Sequence, residues 1–197
     1  MLKLATFTVS VTCFVSFALA IRWFFQKPGG VSWRMKVIMV SGSLSASAQC
    51  SAIIWLDSAT VGPWLAGMSC FLISFYLFWW TVAASRAVPL NIAFTLTKPE
   101  YLLDRGPYAR IRHPLYTSYL IYWMAGVLVT GWWPLIATVI VMGALYYSAT
   151  RWEEREFLCS PLSAEYVAYM RRTGLFWPRC AKQGRARETK QLYERSA

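Results

Sequence analysis

The chain has 197 residues, of which 57% are hydrophobic and 15% are charged, and its formal net charge is +11. Soluble domains carry about 25% charged residues, so this composition excludes an ordinary soluble domain and indicates a chain embedded in a membrane. The five cysteines form no Cys-x-x-Cys pair and the chain has one histidine, so the sequence offers neither a His/Cys metal site nor a disulfide framework.

Three long apolar runs occupy the first part of the chain, at residues 4–25, 37–56 and 64–84. Each is close to the roughly 20 residues that a helix needs to cross a bilayer, so three membrane spans are predicted. A cleavable signal peptide is an alternative for the first run, because Lys3 precedes it and the small residue Ala20 lies near its end. The second run is rich in Ser, Ala and Gly, which predicts a face for close helix packing.

Two shorter apolar runs follow a polar stretch at residues 85–114. They cover residues 115–130 and 135–147 and are separated by Gly131-Trp132-Trp133-Pro134, so we expect a helical hairpin. The next segment, residues 149–158, is charged, has helical propensity and is expected to leave the membrane. The predicted fold class is all-α, an integral membrane protein of about five transmembrane helices.

The basic residues indicate how these spans are oriented. All of the 20 Lys and Arg residues except Lys3 lie at the end of span one (Arg22), between spans one and two, between spans three and four, or after span five. Because Lys and Arg near span ends mark the cytosolic side, we expect the N-terminus outside and the C-terminus in the cytosol. Membrane orientation then accounts for the net charge, so no nucleic-acid partner is expected.

Two polar segments at the cytosolic side, residues 100–116 and 151–169, carry most of the chemically useful side chains. The hairpin between them returns the chain to the same membrane surface, so we expect one cluster. Its members are Tyr108, Arg112, His113, Tyr116, Arg151, Glu153, Glu154, Tyr166 and Tyr169. Each type also has an ordinary structural role, because a histidine can cap a span, arginines can anchor lipid headgroups and tyrosines favour the membrane interface.

Taken together, these residues form a pattern. A Gly-x-Tyr-x-x-x-Arg-His-Pro-x-Tyr sequence is followed, after the hairpin, by an Arg, a Glu pair and Glu-Tyr-x-x-Tyr. The residues concerned are Gly106, Tyr108, Arg112, His113, Pro114 and Tyr116, and then Arg151, Glu153, Glu154, Glu165, Tyr166 and Tyr169. This order resembles the isoprenylcysteine carboxyl methyltransferase and phospholipid methyltransferase families over residues 98–179.

The resemblance implies S-adenosylmethionine as cofactor, bound without a separate nucleotide-binding domain. The residues it implies for the cofactor pocket are Glu100, Tyr101, Leu102, Leu103, Tyr108, His113, Pro114, Leu115, Tyr116 and Glu154. The expected catalytic residues are His113, Glu154 and Arg151, with Arg151 holding the substrate. The family often has histidine where Glu100 stands, and its substrate arginine falls at Arg151 or one position earlier, at Thr150.

The distribution of apolar and charged residues predicts three N-terminal spans (1–84), a catalytic region (85–180) and a basic, disordered tail (181–197). Access from the lipid predicts a prenylated or phospholipid substrate, and we expect methylation of a carboxylate, which is ionised and needs only an orienting cation. Alternatives are N-methylation of a phospholipid or small amine, an NADPH-dependent membrane reductase with a similar Arg-His-Pro-x-Tyr loop, or a non-enzymatic membrane protein. A bacterial inner membrane, or the endoplasmic reticulum of a eukaryote, is the expected location.

Overall fold

The computed structural model describes residues 2–26, 30–56, 59–86, 90–91 and 101–179. The predicted disordered tail and Glu100 lie outside these residues. The described part is mainly α-helical, with two short 3-10 helices, a two-residue parallel pairing of β1 (Phe25–Gln26) with β2 (Leu90–Asn91), and irregular connecting segments. Its helices are α1 (Leu2–Phe24), α2 (Trp33–Trp55), α3 (Val61–Ser85), α4 (Pro114–Thr130), α5 (Ile136–Leu158) and α6 (Ser163–Arg172).

Four helical segments are long and apolar enough to cross a membrane, namely α1, α2, α3 and Trp133–Leu158. Helix α4, the expected fourth span, has 17 residues and is about 26 Å long at 1.5 Å per residue, slightly shorter than a bilayer core of about 30 Å. The structure therefore supports an all-α membrane protein with four candidate spans, and α4 is a shorter helix within the same bundle.

Helix α5 carries the apolar run and the charged segment without a break. The apolar run predicted to end at residue 147 and the charged segment 149–158, to which the sequence assigned helical propensity, form one helix that ends at Leu158. The charged stretch contains Glu, Arg and Leu and no Gly or Pro, so it has high helix propensity and nothing to stop the helix. One rigid helix therefore carries both the apolar hairpin arm and the glutamate pair.

Helices α3 and α4 form the closest pairing in the bundle. A Cβ added at Gly67 of α3 would lie 2.6 Å from Val129 Cγ1 and 2.9 Å from the Ala125 carbonyl oxygen of α4. Ser74 also donates a hydrogen bond of 2.7 Å to the Ser118 carbonyl across this interface. Small residues allow such contact between helices, which associate in lipid through close packing rather than the hydrophobic effect.

The small-residue face predicted in the second span packs inside the bundle. Gly42, Ser45 and Ala46 of α2 are buried. On the same helix Gln49 is fully buried and donates a hydrogen bond of 3.1 Å to Ser10 of α1. Helix α2 thus combines close packing with a polar contact that ties it to α1.

The predicted hairpin between α4 and α5 is present. Gly131 ends α4 with φ of 64°, a left-handed conformation that favours glycine at a helix C-cap. A 3-10 turn at Trp133–Leu135 then starts α5. Across the two arms the Trp123 indole donates a hydrogen bond of 3.2 Å to the Tyr146 hydroxyl. The hairpin places the start of α4 beside the last turns of α5.

Candidate active site

The segment before α4 is shaped by a 3-10 helix at Gly106–Ala109 and then by backbone pairing with a distant segment. Ile111 forms a parallel bridge with Gly174. The amide of Arg112 donates to the Gly174 carbonyl at 2.8 Å, and the amide of His113 donates to the Leu175 carbonyl at 3.1 Å. These bonds fix the orientation of the Arg-His-Pro loop independently of its side chains.

Arg112 joins this loop to both α5 and α6. Its Nε donates to Oε1 of Glu154 at 2.9 Å. Its Nη1 donates to the Thr173 carbonyl at 2.8 Å and to the Met170 carbonyl at 3.3 Å. The guanidinium thus satisfies carbonyls near the end of α6, which have no partner within the helix, and at the same time neutralises a buried carboxylate.

His113 lies between the two glutamates, as the sequence predicted. Its Nδ1 is 3.3 Å from Oε2 of Glu153, and its Nε2 is 3.8 Å from Oε1 of Glu154. The side chain is 8% exposed. Burial lowers the pKa of His113, but hydrogen bonding and attraction from the two carboxylates outweigh burial and hold its pKa above the usual value. The two carboxylates therefore favour the charged form of the imidazole, against the effect of burial.

The two glutamates have different environments. Glu154 is 3% exposed and its Oε2 is 3.4 Å from Nη1 of Arg151, a residue that is half exposed. Glu153 is 31% exposed and accepts a hydrogen bond of 2.6 Å from the Tyr116 hydroxyl. Glu154 is thus a buried acceptor surrounded by cations, whereas Glu153 reaches the edge of the site.

Tyrosines line the cluster on both sides. The Tyr116 ring stacks on Tyr146 with centroids 5.2 Å apart, and the Tyr169 hydroxyl donates to the Tyr108 carbonyl at 2.7 Å. Burial raises the pKa of Tyr108 far above its usual value, and repulsion from Glu153 adds a smaller increase in the same direction. The phenol therefore stays protonated. Tyr166 is buried and stacks on Phe157 at 4.5 Å. The cluster is therefore lined by aromatic rings, with paired charges at its centre, and it opens to solvent at Glu153 and Arg151.

Three of the predicted cofactor residues lie in an irregular segment before the 3-10 helix. Leu102 and Leu103 are half-buried there, and Tyr101 is 38% exposed. Pro114 is the buried first residue of α4, and Leu115 packs against the hydrophobic core of the bundle.

The structure distinguishes Arg151 from its neighbour Thr150, the other candidate for the substrate arginine position. Thr150 is fully buried and its hydroxyl donates to the Tyr147 carbonyl of its own helix at 2.8 Å. Arg151 presents a half-exposed guanidinium next to Glu154. Of the two positions, only the second offers a cation to a ligand.

Sequence reasoning missed the segment after α6. The Thr117 hydroxyl donates to the Phe176 carbonyl at 2.8 Å, and the Phe176 ring is 6.4 Å from the His113 ring. A Cβ at Gly174 would overlap the Trp177 carbonyl oxygen, so this turn requires glycine. The only signal was an apolar Gly-Leu-Phe-Trp-Pro run directly after the basic end of α6.

With this geometry in place, comparison with known families identifies the chain. The family model for phospholipid methyltransferase matches residues 63–161, which is half of the chain. The chain belongs to the phospholipid methyltransferase family. No curated protein matches it.

The match to the phospholipid methyltransferase family covers the parts that build the site. It runs from α3 through the Arg-His-Pro loop and α4 to the end of α5, so it includes His113 and Glu154. Helix α6 and the segment that pairs with the loop lie beyond the matched residues. The resemblance inferred from the sequence is confirmed, and the family makes this chain a membrane methyltransferase.

Proposed function

We propose that this chain transfers a methyl group from S-adenosylmethionine to a carboxylate of a lipophilic substrate at the membrane surface, in the manner of an isoprenylcysteine carboxyl methyltransferase. The observation that carries the proposal is the position of the one imidazole of the chain, His113. It lies 3.3 Å from Glu153 and 3.8 Å from Glu154, at the point where the hairpin returns to the Arg-His-Pro loop.

The residues of this cluster fit the proposed cofactor. Nε2 of His113 is buried and has no hydrogen-bond partner among the described residues, so it is available as a donor to a ligand carboxylate. Glu154 can accept hydrogen bonds from an ammonium or ribose hydroxyl, and the faces of Tyr108 and Tyr116 can attract a cation. Pro114, Leu115 and residues 100–103 are proposed to complete the pocket. When bound, the cofactor supplies a methyl group on a positively charged sulfur.

The protein's contribution to methyl transfer is to position the acceptor and exclude water. The side chains of Glu154 and His113 are almost fully buried, and a dry site favours a reaction in which opposite charges are lost. Arg151, half exposed beside Glu154, is placed to orient a substrate carboxylate. His113, the one imidazole of the chain, faces Glu153 at 3.3 Å and is assigned here to the cofactor, so the proposal gives it no role as a base. This favours an acceptor that is already ionised.

A phospholipid or amine nitrogen is the second candidate acceptor. The family model is named for phospholipid methyltransferase, and Glu153, the more exposed carboxylate at 31%, is placed to receive a proton from an ammonium. An NADPH-dependent reductase or a non-enzymatic protein is less compatible with this family membership. The two candidate acceptors differ in their need for a base. An ammonium nitrogen must lose a proton before it can accept a methyl group, whereas a carboxylate is already ionised.

The test is transfer of a labelled methyl group by the full chain in lipid nanodiscs, with farnesylcysteine and phosphatidylethanolamine as separate acceptors. The proposal predicts a base-labile label on farnesylcysteine, because an ester hydrolyses in base and a methylated amine does not. Arg151→Gln and Glu154→Gln should each lower this activity, whereas Glu165→Gln, an exposed glutamate of α6, should not. Label found only on phosphatidylethanolamine, stable to base, would select the second candidate.

A further inference from the structure

A groove of about 560 Å³ lies between the start of α2 and the last turns of α5. It is on the α2 side of the bundle, apart from the tyrosine-lined cluster. Only Arg151 belongs to both, because its guanidinium pairs with Glu154 and also lines the groove. The residues that define it are Trp33, Arg34, Ile38, Leu145, Arg151 and Arg155.

The polar end of the groove is strongly basic. Three arginines line it, and none of its described lining residues is acidic. Arg34 is stacked against aromatic rings, with Cζ 5.1 Å from the Trp152 centroid and 5.7 Å from that of Trp33. Such stacking holds a guanidinium in place beside the groove. The groove therefore offers a preorganised site for an anion.

The other end of the groove is apolar and lies on membrane-embedded helix surface. On α2, Val37 and Ile38 lie one turn further along the helix than Trp33 and Arg34. On α5, Leu145 lines the same apolar end of the groove. Both helices are candidate membrane spans, so this end faces the region of acyl chains. Tryptophans at its rim match the preference of indole rings for the headgroup level.

We propose that this groove binds an anionic glycerophospholipid of the surrounding leaflet. The phosphate contacts Arg34 and Arg155, and one acyl chain runs along Val37 and Leu145. Guanidinium groups bind phosphate oxygens through paired hydrogen bonds, and basic pockets between transmembrane helices are suited to anionic headgroups. The volume lies within the roughly 300–1,000 Å³ usual for small-ligand sites. The groove shares Arg151 with the candidate active site, but the proposed lipid contacts are with Arg34 and Arg155 and need no cofactor.

The test is lipid binding by the purified full chain in neutral detergent, measured by native mass spectrometry. Phosphatidylglycerol and phosphatidylcholine with identical acyl chains are titrated separately. One molecule of phosphatidylglycerol should bind tightly to each chain, and phosphatidylcholine should bind at least tenfold more weakly. The double variant Arg34→Gln, Arg155→Gln should bind phosphatidylglycerol about 25-fold more weakly than the wild type, because each arginine near an anionic headgroup contributes roughly fivefold in affinity.

Two further variants separate this site from general surface charge. Lys36→Gln removes an exposed charge from the same helix outside the groove and should change affinity less than twofold. Val37→Trp fills the groove without altering its charge and should weaken binding as the double arginine variant does. Equal affinity for the two lipids, wild-type binding by the double arginine variant, or an equal loss in Lys36→Gln would overturn the proposal.

Discussion

Replacing Arg112 by alanine tests whether the Arg-His-Pro loop is held by the contacts described above. The substitution removes the 2.9 Å bond to Glu154 and the bonds to the Thr173 and Met170 carbonyls. Arg112 is 12% exposed and Glu154 only 3%, so a buried carboxylate loses its nearest cation. The loop would then be held to the segment after α6 by backbone bonds alone, and to α5 by the contacts of His113 and Tyr116 with Glu153.

The size of the effect follows from this burial. Removing one member of a buried ion pair costs about 3–5 kcal/mol. Glu154 keeps Arg151 at 3.4 Å and His113 at 3.8 Å, so the lower end, about 3 kcal/mol, applies. For a chain of this size 1 kcal/mol shifts the Tm by about 2–4 °C. The expected decrease for Arg112→Ala is therefore about 6–12 °C.

The assay is thermal unfolding in detergent, followed by tryptophan fluorescence. Arg110→Ala is the matched control, because Arg110 is an exposed residue of the same loop. Only its backbone carbonyl, which accepts from the Gly174 amide at 3.1 Å, is part of the pairing. Arg112→Lys keeps the charge but not the planar fork, and should be intermediate. A decrease below about 2 °C for Arg112→Ala, or an equal decrease for Arg110→Ala, would refute the reasoning.

Three other predictions follow from the same contacts. Gly67→Ala should destabilise by about 1–3 kcal/mol through overpacking of α3 on α4, whereas Gly62→Ala, with open space around its added Cβ, should be neutral in the same unfolding assay. Tyr116→Phe removes the 2.6 Å bond to Glu153 and should cost about 1.5–3 kcal/mol; an unchanged Tm would contradict this. Because the pKa of His113 is raised on folding, its charge stabilises fully below the unfolded-state pKa and less as pH rises through the folded value. The stability gap between wild type and His113→Gln should therefore narrow from pH 6 to pH 9, and a gap that widened would contradict the assignment.

The location of the candidate site followed from the sequence because connectivity alone determined it. The Gly131-Trp132-Trp133-Pro134 break between two apolar runs requires the chain to return to its starting surface. His113 and Glu154 were therefore expected to be neighbours, and they are. The helical propensity of residues 149–158 was also recognised in the sequence, and these residues form the last turns of α5.

Two features depend on contacts that leave no periodic pattern in the sequence. The loop is fixed by backbone bonds to Gly174 and Leu175, and pairing between segments so far apart in sequence has no local signal. The groove beside Arg34 and Arg155 arises from how α2 and α5 approach each other. That approach is set by packing of small residues across the whole bundle, which hydropathy alone does not specify.

The central claim is that the Arg-His-Pro loop and the glutamate pair form one cofactor pocket, and equilibrium binding of S-adenosylmethionine tests it most directly. Calorimetry on the full chain in detergent should give one site per chain. Glu154→Gln and His113→Gln should each weaken it about 10- to 100-fold, the loss of one hydrogen bond to a charged group. Glu165→Gln, an exposed glutamate of α6, should bind as the wild type does. Binding that both variants leave unchanged, or binding of NADPH in its place, would contradict the account.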